Sequence, residues 1–243
     1  MNEDANDNVP GKSTRRMADR RYQARLLLVL AAIGVLVTLF FVNLSARNVF
    51  VSFLVLAVLL IIDRVVNSDL DFLIKREGDA TRGAKAEEAV GAILNRLPAK
   101  SHCVLHDVIA GFGNIDHLVF RADGAVILIE TKAHGGKVTE ERGELRLNGH
   151  PFEKDILKQT HGNLYWLRDF LKTKAGVEVW VKAVIVFPNA FVSVRRALRG
   201  VEVVNLKYLG RWMATVLGNP QSAKTLWPQI ERLKAELQQP ADR

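Results

Sequence analysis

The stretch AVILIETKAHGGKV, residues 125–138, decides how the chain is read. Val126, Ile127, Leu128 and Ile129 are apolar at every position, the pattern of a strand buried on both faces. The run then passes directly into Glu130, Thr131 and Lys132. Side chains alternate along a strand, so Glu130 and Lys132 share one face and Thr131 takes the other. An acid and a base are thereby held at the rim of a core. An unpaired buried charge costs several kcal/mol, so a partner or a metal ion is needed there. The pattern alone fits a structural ion pair at a strand end equally well.

Outward from this strand, Asp123-Gly124 is a strong hairpin signal joining it to a preceding strand at about 115–121, IDHLVFR. A first strand is expected at about 102–109, separated by Gly111 and Gly113. Ahead of it, TRGAKAEEAVGAILNRL places Ala86, Val90, Ile93, Leu94 and Leu97 at helical spacing, with Pro98 closing the helix. Downstream, 137–148 reads as a small two-stranded excursion. A long amphipathic helix at about 153–173 follows, and then a buried strand at 179–187 stopped by Pro188. A short strand near 201–205 and helices near 206–217 and 221–238 complete the chain. The core order is helix, three strands, helix, strand, an α/β arrangement. Asp116 then lies on the strand hairpinned to the one bearing Glu130 and Lys132, and the Glu87-Glu88 pair lies on the preceding helix.

The 243 residues, 49% hydrophobic and 25% charged, are globular on average, but the apolar residues are unevenly spread. Residues 26–44 and 49–62 contain no charge. The first is long enough to cross a bilayer core, which needs about 20 residues. The second reaches that length with Val65 and Val66. Only Ser45 to Asn48 separates them, so a transmembrane helical hairpin is expected at 26–66. A signal peptide fits less well, because the first run exceeds the usual ~7–15 apolar residues and a second follows at once. Arg15, Arg16, Arg20, Arg21 and Arg25 precede the pair, and Arg64, Lys75 and Arg76 follow it, with Arg47 alone in the turn. The positive-inside rule puts both ends in the cytoplasm. The expected organisation is a polar, basic cytoplasmic N-terminus at 1–25, the membrane hairpin at 26–66, a linker at 67–80, a catalytic-type domain at 81–205 and C-terminal helices at 206–243.

Residues 67–243 carry 26 Lys and Arg against 21 Asp and Glu, a mild positive excess that permits a nucleic-acid partner. The single cysteine, Cys103, excludes an internal disulfide framework and reads as a small buried hydrophobe. Two carboxylates from adjacent strands, a lysine two residues beyond the second and an acid from the first helix can hold a divalent cation through oxygen ligands. Such a site can hydrolyse a phosphodiester.

GNIDHLVF followed by GAVILIETKAHGGKV resembles the PD-(D/E)XK nuclease superfamily in its Asp…Glu-x-Lys signature, and more narrowly the nuclease-related domain (NERD) family. RGAKAEEAV in the first helix and QTHGNLYWL in the second extend the resemblance over about residues 79–190. It implies a restriction-endonuclease-like core, with Asp116 and Glu130 as ligands of Mg²⁺ or Mn²⁺. It further implies Lys132 as the catalytic lysine, Glu87 as an auxiliary acid and Gln159 as a polar site residue. Ala86 stands where the family usually has glycine, and His150 where Asn is common before Pro151. The function expected is a membrane-anchored, metal-dependent nuclease acting on cytoplasmic nucleic acid, DNA rather than RNA. The alternative is a catalytically silent nucleic-acid-binding or membrane scaffold module that keeps the fold.

Other polar residues have plainer readings. Glu87 and Gln159 also fit a solvated helix position and a bond within the helix. His106, His117 and His134, at spacings of 11 and 17 residues, match no helical zinc motif and read as supporting or structural. Arg195, Arg196 and Arg199 read as an exposed basic helix face, with phosphate contact as the competing role.

Overall fold

The structure, a computed structural model, describes residues 78–111 and 113–238, together with helical positions Gln23, Leu27, Leu30, Ala31, Gly34 and Thr38. The hairpin expected at 26–66 lies outside the described residues except at five of these positions, and among the described residues no helix is long and apolar enough to cross a membrane. The chain divides into two compact units, with the boundary after Arg82. In the first, the Thr38 hydroxyl donates to the Gly34 carbonyl at 2.9 Å, and Leu27 and Leu30 are exposed.

The second unit holds the expected elements. Helix α1 occupies 78–94, beginning five residues before that boundary, so the last residues of the linker expected at 67–80 are already helical. Strands β1 (His102–Ala110), β2 (Gly113–Arg121) and β3 (Val126–Thr131) follow as an antiparallel meander. β4 (Gly136–Glu141), β5 (Glu144–Leu147) and β6 (His150–Pro151) come next, then α2 (Ile156–Ala175) and β7 (Val181–Phe187). β8 (Ala190–Ser193), β9 (Val201–Asn205) and α3 (Leu206–Thr215) lead to α4 (Pro220–Leu226) and, through a 3₁₀ turn at Trp227–Gln229, to α5 (Ile230–Gln238).

The main sheet has the order β1-β2-β3-β7-β9, with β3, β7 and β9 parallel. β3 sits at its centre, and all six of its residues are buried. Its alternation splits the core in two. Val126 and Leu128 pack in a cluster with Leu157, Leu167 and Leu171 of α2, while Ile127 and Ile129 pack with Val90 and Leu94 of α1 and Leu209 and Met213 of α3. Each such side chain contributes roughly 1.5–3 kcal/mol of burial. The strand's apolar run is therefore explained by helices on both faces.

The expected two-stranded excursion is larger than the sequence indicates. β4, β5 and β6 are joined by β8, which pairs in parallel with β4 to give a four-stranded sheet of order β6-β5-β4-β8. Val138 and Leu145 carry this sheet into the same core as α2.

Local signals fix the ends of the elements. The Asp155 carboxylate caps α2 by accepting from the Lys158 amide at 2.9 Å, and Gly176, with φ of 67°, closes it in the left-handed conformation. The Asp123-Gly124 turn requires glycine twice over. Gly124 has φ of 85°, and a Cβ there would collide with the Asn219 carbonyl.

Candidate active site

The site forms where β2 and β3 stop pairing. Their register runs from Phe120 opposite Val126 to His117 opposite Ile129. The next free amide of β3, Thr131 N–H, donates instead to Asp116 Oδ2 at 2.6 Å. The carboxylate of Asp116 thus takes the place of a strand partner and is fixed against the end of β3. β7 continues along the other edge, and the Lys132 amide donates to the Val186 carbonyl at 2.9 Å. With Glu130 opposite Ile185 in the β3–β7 ladder, the backbone of all three residues after Ile129 is held.

Glu130 is only 1% exposed. Lys132 returns across the strand face and its Nζ donates to Glu130 Oε1 at 2.6 Å, as the shared face requires. The same ammonium lies 3.4 Å from Gln159 Oε1 on the first turn of α2. Glu130 Oε2 is buried with no hydrogen-bond partner among the described residues. Asp116, Glu130, Lys132 and Gln159 are thus brought together. Glu87, on α1, acts on both Asp116 and Lys132 through its charge.

The charges at this point do not balance. Burial, and after it the negative charges of Glu130 and Glu87, hold the Asp116 carboxyl well above the usual carboxylate range, although Lys132 and the Thr131 amide pull the other way. Burial opposes the charge on Lys132, but Glu130 and Asp116 outweigh it and hold the ammonium above its ordinary value. One lysine faces three carboxylates.

Among the described residues no group of three or more His, Cys, Asp or Glu is arranged to hold a metal ion. A hard cation such as Mg²⁺ needs only one or two carboxylates when water and phosphate oxygens complete its shell. Asp116 and Glu130 fit that requirement. They supply oxygen donors, one buried oxygen has no partner, and the excess negative charge is what a cation would neutralise.

The histidines lie beside the site. His117, next to Asp116 but on the opposite face of β2, is fully buried, and its Nδ1 is 2.8 Å from Nδ1 of His106 on β1. His106 Nε2 is 2.9 Å from Asn95 Oδ1 at the end of α1. With Asn95 accepting from His106 Nε2, His106 Nδ1 accepts from His117, and His117 Nε2 is the buried atom left without a partner. Burial lowers the His106 value to about 4, and burial with the neighbouring ring lowers His117 well below the usual range. His134 packs edge-on to Phe152 at 5.2 Å. Cys103 is partly buried, and burial raises its thiol.

Two features escaped the sequence reading. Asn163 is fully buried one turn beyond Gln159 and donates to the Asn114 carbonyl at 3.3 Å, holding β2 two residues before Asp116. Its i+4 spacing from Gln159 was the available signal. The His106–His117 contact follows from counting register across the Gly111–Gly113 turn. One expectation is corrected: Arg195, Arg196 and Arg199 lie in the loop between β8 and β9 and not on a helix. The turn at Arg199 and Gly200, with φ of 52° and 84°, excludes helical continuation.

This is a mixed α/β domain with two mixed sheets and an acid-acid-lysine cluster at the centre of the larger one. Residues 82–188 match the family described as NERD, nuclease-related domain, and this segment is a nuclease-related domain. No curated protein and no solved structure compared with the chain gave a match.

Proposed function

We propose that the chain is a membrane-tethered, divalent-metal-dependent nuclease with a restriction-endonuclease-like core, acting on cytoplasmic nucleic acid and on DNA in preference to RNA. The observation that carries the proposal is the buried Glu130 carboxylate with its unpartnered Oε2, set beside Asp116 and Lys132. A fold stabilised only by an ion pair has no use for further carboxylates around it, and a pure nucleic-acid-binding surface is weakened by acids that repel phosphate. The order helix, three strands, helix, strand and the nuclease-related domain at 82–188 support the same reading.

In this reading Asp116 and Glu130 hold Mg²⁺ or Mn²⁺. When bound, the cation supplies polarisation of the scissile phosphate and a coordinated water of lowered pKa. The Thr131 amide orients the Asp116 carboxylate. Lys132 places a positive charge where negative charge develops on the phosphate or its attacking water. Gln159 limits the positions open to that ammonium. Glu87 adds negative charge that favours the cation and keeps Lys132 protonated.

Tethering through 26–66 is supported by the uncharged segments and by the exposure of Leu27 and Leu30 at helical positions. A second reading, the catalytically silent module, is favoured by one observation: Glu130 and Lys132 are already satisfied in part by each other at 2.6 Å. Cleavage of linear and circular DNA by the full chain, with Mg²⁺ or Mn²⁺ and with chelator, separates the two. Metal-dependent cleavage that Glu130→Gln abolishes supports the nuclease. No cleavage by wild type with either metal on either DNA overturns it in favour of the silent module.

A further inference from the structure

Away from the acid-lysine cluster, α2 carries two rings that the proposed chemistry does not use. His161 and Tyr165, one helical turn apart, stack with centroids 6.4 Å apart and planes inclined by 28°. Tyr165 is 56% exposed. His161 lies between two carbonyl oxygens, its Nδ1 2.7 Å from that of Leu157 and its Nε2 2.9 Å from that of Arg199, and the neutral ring donates to one of them. The second contact joins the helix to the β8–β9 loop. That loop is anchored by buried Leu198, which exchanges backbone hydrogen bonds with Val201 at 2.8 and 2.9 Å. Arg195, Arg196 and Arg199 are exposed on it, and none of them makes an ion pair among the described residues.

We propose that Tyr165, backed by His161, together with Arg195, Arg196 and Arg199 of the loop that His161 meets, is a docking platform for a single-stranded segment of nucleic acid. A base stacks on the tyrosine ring and the adjoining phosphates meet the arginines. This rests on the nuclease reading and narrows its substrate to nucleic acid with an unpaired stretch. An exposed aromatic face near a basic loop is complementary to an unpaired strand, which offers both a π-face and phosphates. A duplex offers the phosphates but keeps its base faces stacked inside. The fixed His161 ring lets Tyr165 receive a base with little loss of side-chain freedom.

The platform is also within reach of the site. Gln159, which touches Lys132, precedes Tyr165 by six residues, or about 9 Å along the helix axis at 1.5 Å per residue. Exposed Lys158, seven residues or about two turns before Tyr165, lies on the same outward face of α2.

The test measures anisotropy of a labelled oligothymidylate and of a labelled duplex of equal length, using the full chain in detergent with chelator so that nothing is cut. Tyr165→Ala is expected to weaken oligothymidylate binding about tenfold, the effect of losing one stacked base, and Tyr165→Phe to retain it. Duplex affinity is expected to stay within about twofold, since phosphate contacts alone hold it. Replacing all three arginines by Gln is expected to reduce the salt slope for the single strand by about 2. Oligothymidylate binding unchanged in Tyr165→Ala, an equal loss for the duplex, or no oligothymidylate binding by wild type overturns the platform. Cleavage is scored separately with metal, so a protein that binds through Tyr165 but never cuts overturns the nuclease and leaves the platform standing.

Discussion

Lys132 Nζ lies 2.6 Å from Glu130 Oε1, while Oε2 of the same buried carboxylate has no partner. One side of the acid is neutralised by protein and the other faces the excess negative charge of the site. In metal-free protein, Lys132→Ala leaves that charge uncompensated and is expected to cost about 3–5 kcal/mol. Saturating Mg²⁺ is expected to recover most of the loss, because the cation replaces the ammonium as counter-charge. Urea melts of wild type and variant, with Mg²⁺ and with chelator, measure this. An equal loss in both conditions contradicts metal binding at Glu130.

Asp116 shows the same shortage of positive charge from the other strand. Its folded carboxyl titrates above the unfolded value, so the folded chain holds a proton that the unfolded chain has released. Stability of the metal-free protein therefore falls as pH rises from the ordinary carboxylate value through the raised one. Asp116→Asn removes that penalty. It is expected to raise the melting temperature in chelator and to abolish the rise produced by Mg²⁺. A variant that melts lower in chelator and keeps its Mg²⁺ response contradicts the assignment.

The paired histidines are expected to set the acid limit of the fold. Burial lowers His106 from 6.5 to about 4, so below pH 6.5 the unfolded chain takes up a proton that the folded ring refuses. Stability is lost as pH falls through that window, by about 2 kcal/mol between pH 7 and pH 5 from His106 alone. His117 acts in the same direction. Denaturant unfolding of His106→Gln at the two pH values is expected to show a shallower decline than wild type. An unchanged decline shows that the pair does not control it.

The legible parts of the fold were those with local signals. Asp123-Gly124 set the β2–β3 hairpin, alternation put Glu130 and Lys132 on one face, and the family resemblance pointed to Gln159, which lies 3.4 Å from Lys132. β8 was missed because its partner among the described residues, β4, is far away in sequence, as Gly136 pairs with Ala190. Four residues after Pro188 and Asn189 carry no period strong enough to mark a strand. The arginines beyond it were placed on a helix from charge clustering alone, while the turn at Arg199 and Gly200 depends on backbone conformation. The use of the Thr131 amide by Asp116 was also hidden, since it depends on where the β2–β3 ladder ends.

The tethered arrangement predicts that both termini share one side of the membrane. Reporter fusions at the N-terminus and at the C-terminus are expected to give cytoplasmic signals, in keeping with the basic flanks of 26–66. A C-terminal reporter on the far side overturns the hairpin and with it the access of the domain to cytoplasmic nucleic acid.

The central claim is that Lys132 stabilises charge during phosphodiester cleavage and does not merely pair with Glu130. It is tested most directly by the single-turnover rate of DNA cleavage by wild type and Lys132→Ala, both saturated with Mg²⁺, where the variant is folded and metal-bound. The account predicts a rate lower by roughly a hundredfold or more, the effect of removing one transition-state donor, with Lys132→Arg also impaired because a planar guanidinium cannot place its charge where the ammonium sat. Equal rates for wild type and Lys132→Ala would contradict it.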